Sequence, residues 1–198
     1  SLELADKIVA LQVLAKNELP KHLWGKFIPI VQSAVPSAIK NRPTSSSFDV
    51  SVVGHLRSVK DPFRAALASR LLAKKSQLRI LHIGGAMDAI NRKRAEIEMS
   101  RNPRYRWLGE RPHWQTRKIM SNSHLLVLTS KLEGGANVIS EALSDHIPII
   151  SSYISGSVGL LGPDHPGYFD HPDHSDHPDH PDHPDICIYS YDIPLWNP

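Results

Sequence analysis

The 198 residues predict an α/β fold, a doubly wound parallel sheet with helices on both faces. Three observations predict it. Short runs rich in Val, Ile, Leu and aromatics recur through the middle of the chain, helical segments separate them, and glycine-bearing loops follow several of them. Strands alternating with helices at this spacing imply βαβ units, and strands buried on both faces read as near-continuous apolar runs.

The first 47 residues stand apart from that pattern. Leu2 to Leu14 and Leu19 to Trp24 read as short helices, and Phe27 to Val31 as a strand. This is too little to bury a core alone, so residues 1–47 are read as the remnant of a preceding domain and its linker. Asn41 to Ser47 is polar and contains Pro43, which marks the linker itself. A first residue of Ser rather than Met places the expected natural start upstream.

Residues 48–169 form the predicted domain. Its strands are Phe48 to Val53, Leu78 to Ile83, Tyr105 to Leu108, His124 to Thr129 and Ile147 to Ser151. Its helices are Asp61 to Lys75, Ala89 to Ser100, Trp114 to Ser121 and Asn137 to Ser144. In the first helix Asp61 takes the N-cap, Pro62 the first turn, and Phe63, Ala66, Leu67 and Leu71 recur at helical spacing. Residues 170–198 are a low-complexity tail that opens with an Asp-His-Pro triplet repeat, a composition that packs no core and is expected to be disordered.

Composition narrows the class. Apolar residues make up 40% and charged residues 22%, and no run reaches the roughly 18 apolar residues of a membrane span. The single cysteine, Cys187, excludes an intramolecular disulfide framework and Cys-pair zinc patterns. No secretory leader opens the sequence, and a cytoplasmic location is the expectation. All 23 Lys and Arg lie at or before Lys131, beside nine acids, whereas residues 132–198 hold the other eleven acids and no Lys or Arg. A basic body of this kind suits an anionic ligand.

The strongest motif is Glu133-Gly134-Gly135-Ala136-Asn137, with Glu141 one turn further on. It follows one predicted strand and opens a helix. Glycines let backbone approach a ligand, and first-turn N–H groups point at an anion with the helix dipole behind them. Carboxylates do not bind phosphate, but they accept hydrogen bonds from hydroxyls. A diphosphate flanked by polyhydroxylated rings is therefore the natural ligand for Glu133 and Glu141 around this loop. A second constellation, Gly54-His55-Leu56-Arg57-Ser58-Val59-Lys60, follows the first strand, where Arg57 and Lys60 can neutralise a diphosphate leaving group. Gly84-Gly85 after the second strand repeats the close-approach theme without matching the dinucleotide or P-loop fingerprints.

These stretches, with Asn102-to-Trp114 and Ile154-to-Phe169, resemble the C-terminal, donor-binding domain of retaining GT-B glycosyltransferases of family four, glycosyltransferase group 1. The branch that includes the selenosugar synthase of selenoneine biosynthesis is the most similar. The resemblance implies a Rossmann-like half of a GT-B fold and transfer of a hexosyl group from a UDP-sugar to a small-molecule acceptor, selenophosphate in that branch. It implies Lys60, Glu133 and Glu141 as catalytic residues, with Lys60 on the diphosphate, Glu133 on the sugar and Glu141 on the ribose. Gly54, His55, Arg57, Gly84, Gly134, Gly135, Ala136 and Asn137 would line the sugar and phosphates. Gly109, Glu110 and Arg111 fall where the family holds the nucleobase. His55 stands where most members carry Arg, which leaves Arg57 as its substitute. No metal ligand and no cofactor beyond the donor are implied. The acceptor-binding N-terminal domain is absent apart from the first residues, so the chain alone is expected to be inactive.

Other readings are weaker. In an extended polyproline geometry the tail's histidines fall on one edge about 9 Å apart, which suits only weak divalent-metal binding. Arg92, Lys93, Arg94, Arg101, Arg104 and Arg106 cluster around Tyr105 and Trp107 in the manner of a nucleic-acid binder, yet those aromatics lie in a strand where core packing is the expected role. A non-catalytic remnant that binds nucleotide only is the main alternative. His82, His113 and His124 are read as structural.

Overall fold

The structure is a computed structural model that describes residues 2–37 and 43–170. The tail predicted over 170–198 lies, apart from Asp170, outside the described residues, as does any metal binding by its histidines.

The opening segment is not helical in the way its apolar spacing predicts. Strand β1 (Ile8–Ala10) pairs in parallel with β2 (Phe27–Pro29), and the links are 3-10 turns at Leu2–Leu4, Val13–Glu18 and Lys21–Lys26. Gln12 causes one break: its side-chain oxygen accepts from the N–H groups of Leu14 and Ala15 at 2.6 and 3.1 Å, capping a fresh turn. Of the apolar residues from 2 to 37 only Leu23 is fully buried, so the segment leans on the main domain for its stability.

That domain is a six-stranded, all-parallel sheet in the order β5-β4-β3-β6-β7-β8. Its strands are β3 (Phe48–Val53), β4 (Leu78–Ile83), β5 (Tyr105–Trp107), β6 (Leu125–Leu128), β7 (Ile149–Ser152) and β8 (Tyr168–Phe169). Helices α1 (Arg64–Ser69), α2 (Ala89–Arg101), α3 (His113–Ser121), α4 (Asn137–Ser144) and α5 (Ser155–Leu161) connect them. Two apolar clusters form. One gathers Val50, Val52, Phe63, Ile80 and Tyr105; the other gathers Met120, Leu126, Ile139 and Ile149. The doubly wound sheet is as the apolar runs predict. β8 and α5 carry no comparable signal, being two residues long in one case and glycine- and serine-rich in the other.

Charge pins the register at the sheet's centre. Asp49 on β3 faces Arg79 on β4, and both carboxylate oxygens accept guanidinium N–H groups at 2.7 Å. Burial alone would raise the Asp49 pKa, but the bonds from Arg79 and Ser47 outweigh it and hold it below the ordinary carboxylate value.

The first helix differs from its prediction at both ends. Asp61 is not an N-cap: its backbone is left-handed at φ 38° and ends a 3-10 turn, Ser58–Lys60. Two constraints account for this. Pro62 disfavours helical geometry at the residue before it, and Thr129 Oγ1 donates to the Lys60 and Asp61 carbonyls at 3.0 and 2.9 Å. At the other end Ser69 Oγ and Asn102 Nδ2 both donate to the Ala66 carbonyl, drawing it away from helix continuation. Leu67, within the helix, and Leu71, beyond its end, lie exposed and not in the core.

Beneath the strand ends sits His82, 1% exposed on β4. Its Nε2 donates to the Gly54 carbonyl, and its Nδ1 accepts from the Tyr105 hydroxyl, both at 3.0 Å. Burial pushes its pKa down to about 4, against the opposing effect of the Gly54 bond. An unfolded histidine titrates near 6.5, so the unfolded chain binds a proton that the folded chain refuses. This part of the stability is complete above about pH 6.5 and lost as pH falls toward 4. The unfolding free energy from urea titrations should therefore drop more steeply from pH 7 to pH 4.5 in the wild type than in His82→Gln, by on the order of 2–3 kcal/mol. Parallel pH curves would contradict it.

Candidate active site

The strand order reverses between β3 and β6, and a sheet of this class opens its crevice outside the carboxyl ends of the strands at that point. A small cavity lies there, lined by Gly54, Lys60, Thr129 and Ser130 over the ends of β3, β4 and β6. Gly54 and Gly84 let two strand ends touch. A Cβ on Gly84 would overlap the Gly54 carbonyl, and Gly84 also has φ +154°.

Lys60 and Glu133 meet across this crevice. The Lys60 ammonium donates to Glu133 Oε1, and Ser130 Oγ donates to the same oxygen at 2.6 Å. Ser152 Oγ holds the Ser130 carbonyl at 2.5 Å, so the seryl support is itself fixed. The Glu133 backbone is clasped by Gly156 of α5, where any Cβ would collide with the Glu133 carbonyl.

Glu141 occupies a separate setting. It is 5% exposed on the first turns of α4, and its Oε1 accepts from His113 Nε2 at 2.6 Å and Asn137 Nδ2 at 3.1 Å. The helix begins beyond Ala136 with no side-chain cap, which leaves first-turn N–H groups for an anion. Thus one acid is paired with the candidate phosphate lysine, and the other is fastened to α3 and α4.

The glycines divide. Gly134 is open, with nothing within 4 Å of a Cβ placed on it. Gly135 is not open as the sequence suggests: a Cβ there would lie 2.6 Å from Leu11 Cβ. Its smallness therefore admits a side chain from the opening segment. Gln12 packs in the same way on Gly159 of α5.

On the β4 and β5 side, His55 is committed, its Nδ1 accepting from the Gly85 N–H at 3.0 Å. Gly109 is left-handed at φ +72°, and its carbonyl accepts from Gly84 N at 2.9 Å, joining the 109–112 loop to the glycine pair. The Glu110 carboxylate sits beside Gly85, 3.2 Å from where a Cβ would be. Arg57 and Arg111 are exposed, and their side chains make no hydrogen bond or ion pair with the other described residues. The structure therefore gathers Gly54, Lys60 and Glu133 in one place and Asn137 and Glu141 in another, and leaves Arg57 and Arg111 at the surface.

Two of the three histidines are structural as expected. His82 braces Gly54, and His124 accepts from Asp49 N at 3.0 Å while stacking on Phe48. His113 is the exception, because it holds Glu141. Half of the basic cluster is engaged within the molecule: Arg94 lies over Phe63, Arg92 over Trp107, and Arg104 on the carbonyls of Ala73 and Lys74. Tyr105 is 1% exposed in the core.

The glycine contacts can be tested by melting. Gly84→Ala should lower the melting temperature by roughly 6–12 °C, because overlap with Gly54 costs about 3 kcal/mol or more. Gly134→Ala should change it by no more than about 2 °C. Equal melting of the two variants would contradict the close approach of Gly84 to Gly54.

Comparison with known proteins supplies the context. No curated protein sequence matches the chain. Among solved structures, the apo form of the lipopolysaccharide outer core galactosyltransferase WaaB is similar at TM-score 0.57 and 21% identity, over 80% of this chain and 45% of that one. Anabaena HepE in complex with UDP and glucose is similar at TM-score 0.59 and 19% identity, over 78% and 46%. TarM is similar at TM-score 0.66 and 13% identity, over 85% and 34%. The chain spans less than half the length of each. At these identities the likeness shows the fold, a parallel sheet of the GT-B Rossmann-like kind. Residues 38–177, more than half of the chain, match the family described as glycosyl transferases group 1, and the chain belongs to that family.

Proposed function

We propose that the chain is the nucleotide-sugar-binding half of a retaining glycosyltransferase that moves a hexosyl group from a UDP-sugar to a small acceptor. The observation that carries this reading is the pair of carboxylates flanking an uncapped helix start, each held by named donors, with Gly134 and Gly135 in the loop between them. HepE was solved with UDP and glucose, which supports the donor class.

In this reading the diphosphate lies across the helix start and Lys60. As the bond from sugar to diphosphate breaks, negative charge grows on the departing phosphate, and the N–H groups of residues 134–137 with Lys60 stabilise it. The sugar takes on oxocarbenium character. Glu133 accepts hydroxyls of the sugar, Glu141 hydroxyls of the ribose, and both serve orientation rather than covalent attack. The 109–112 loop faces the nucleobase. Lys60 and Glu133 contact each other directly, so ligand binding exchanges that contact for one from Lys60 to phosphate and one from Glu133 to a hydroxyl. Selenophosphate, the acceptor in the selenosugar branch, is a small anion compatible with a basic crevice; that assignment rests on the sequence resemblance. The acceptor side would come from an N-terminal domain, with the cytoplasm as the setting.

Calorimetric titration with UDP checks the site. Wild type should bind, and Glu141→Ala should bind about ten- to a hundredfold more weakly, the loss of a hydrogen bond to a charged group. Equal heats from the two proteins would remove the ribose role. Assayed with UDP-sugar and acceptor, the isolated chain should show no turnover, since this reading assigns acceptor binding to another domain. Robust transfer would overturn that division of labour.

A further inference from the structure

We propose that His113 is a positioning residue: it holds the Glu141 carboxylate so that the site prefers ribonucleotides over their deoxy counterparts. The inference deepens the nucleotide-sugar reading and rests on it.

The geometry assigns the proton. A carboxylate only accepts, so the 2.6 Å contact requires His113 Nε2 to carry hydrogen. Asn137 Nδ2 donates to the same oxygen, Oε1. Two donors converging on one oxygen fix the side chain's rotamer and leave Oε2 without a bond from any described residue. Oε2 is not enclosed either. The buried side-chain polar atoms lacking a partner among the described residues are Gln32 Oε1 and Arg104 Nε. A buried acid thus presents one accessible oxygen, held in place and able to accept a hydroxyl.

His113 is an unusual residue to be spent this way, since its side chain is 71% exposed while that of Glu141 is 7% exposed. It is also the first residue of α3, directly after the 109–112 loop, so the element that faces the base in our reading also steadies the acid that faces the ribose.

A second pair explains why His113 is not needed for the fold. One turn further along each element, Arg117 and Asp145 form a buried ion pair, Nε and the terminal nitrogen on Oδ2 at 3.1 and 2.7 Å. Arg117 and Asp145 therefore tie α3 to the end of α4 at the protected end of the contact. His113 and Glu141 form the rung at the mouth, where its removal leaves the spacing of the helices to the inner rung.

The test uses the full chain and three probes, UDP, 2′-deoxy-UDP and 3′-deoxy-UDP, titrated into wild type, His113→Ala and His113→Gln. Wild type should bind UDP about tenfold or more tightly than at least one deoxy analogue. His113→Ala should lose roughly five- to tenfold for UDP but little for that analogue, so the preference falls to about twofold or less. His113→Gln, whose amide reaches the place of Nε2, should restore most of it. A purely structural histidine would weaken all three ligands alike, or none, with the preference intact, and either result overturns the proposal. The remaining outcomes separate it from its foundation. Wild type that binds UDP and both analogues equally removes the ribose role of Glu141 and this proposal with it, leaving nucleotide binding standing. Wild type that binds none of them overturns the nucleotide reading as well.

Discussion

The arrangement depends on a single topological constraint: neighbouring parallel strands β3 and β6 send their chains to opposite faces of the sheet. Backbone cannot fill the space between two diverging connections, so a crevice opens at their carboxyl ends. The crevice survives only if the loops around it stay close, and that requires the Gly84 backbone to lie against Gly54, with His82 bonded to the Gly54 carbonyl from below. A neutral histidine suits this task. Its donor nitrogen satisfies the carbonyl, its acceptor nitrogen is satisfied by Tyr105, and no charge is buried.

From that crevice the polar groups extend in two directions. Toward β7 and α5, Lys60, Glu133, Ser130 and Ser152 form a continuous chain of contacts that ends on backbone. Toward α3 and α4, acid and base alternate on two rungs, Glu141 with His113 and Asp145 with Arg117. The inner rung also receives the opening segment: Ser37 N donates to Asp145 Oδ1 at 2.7 Å, and Arg117 donates to the Val35 carbonyl at 3.1 Å. One buried ion pair therefore joins the approach of the chain to the end of the helix that carries Glu141.

Much of the sheet was legible in the sequence because central parallel strands are buried on both faces, and continuous apolar runs have few other uses. The placement of Glu133 to Glu141 between a buried strand and a helix was legible for a related reason, since the segment directly follows one of those runs. Partnership was not legible. His113 lies 28 residues from Glu141, and Lys60 lies 73 from Glu133, so only the folded sheet brings them into contact. Asp61 and the opening segment misled through local pattern. Leu2 to Leu14 reads as a short helix, yet Leu2, Leu4 and Leu11 are exposed, and hydrogen bonding by Gln12 broke the run. Gly135 shows a subtler limit, since the need for glycine was visible while its cause, Leu11, was remote.

The Lys60–Glu133 contact has a consequence for selectivity. Any anion that engages the ammonium must compete with a carboxylate already in place, so a stray chloride or inorganic phosphate displaces a good partner and leaves the acid stranded. A molecule bearing both phosphoryl oxygens and hydroxyls a few ångströms away rehouses both halves of the broken pair at once. The crevice is in this sense a two-key lock, in which neither chemical feature alone turns the mechanism.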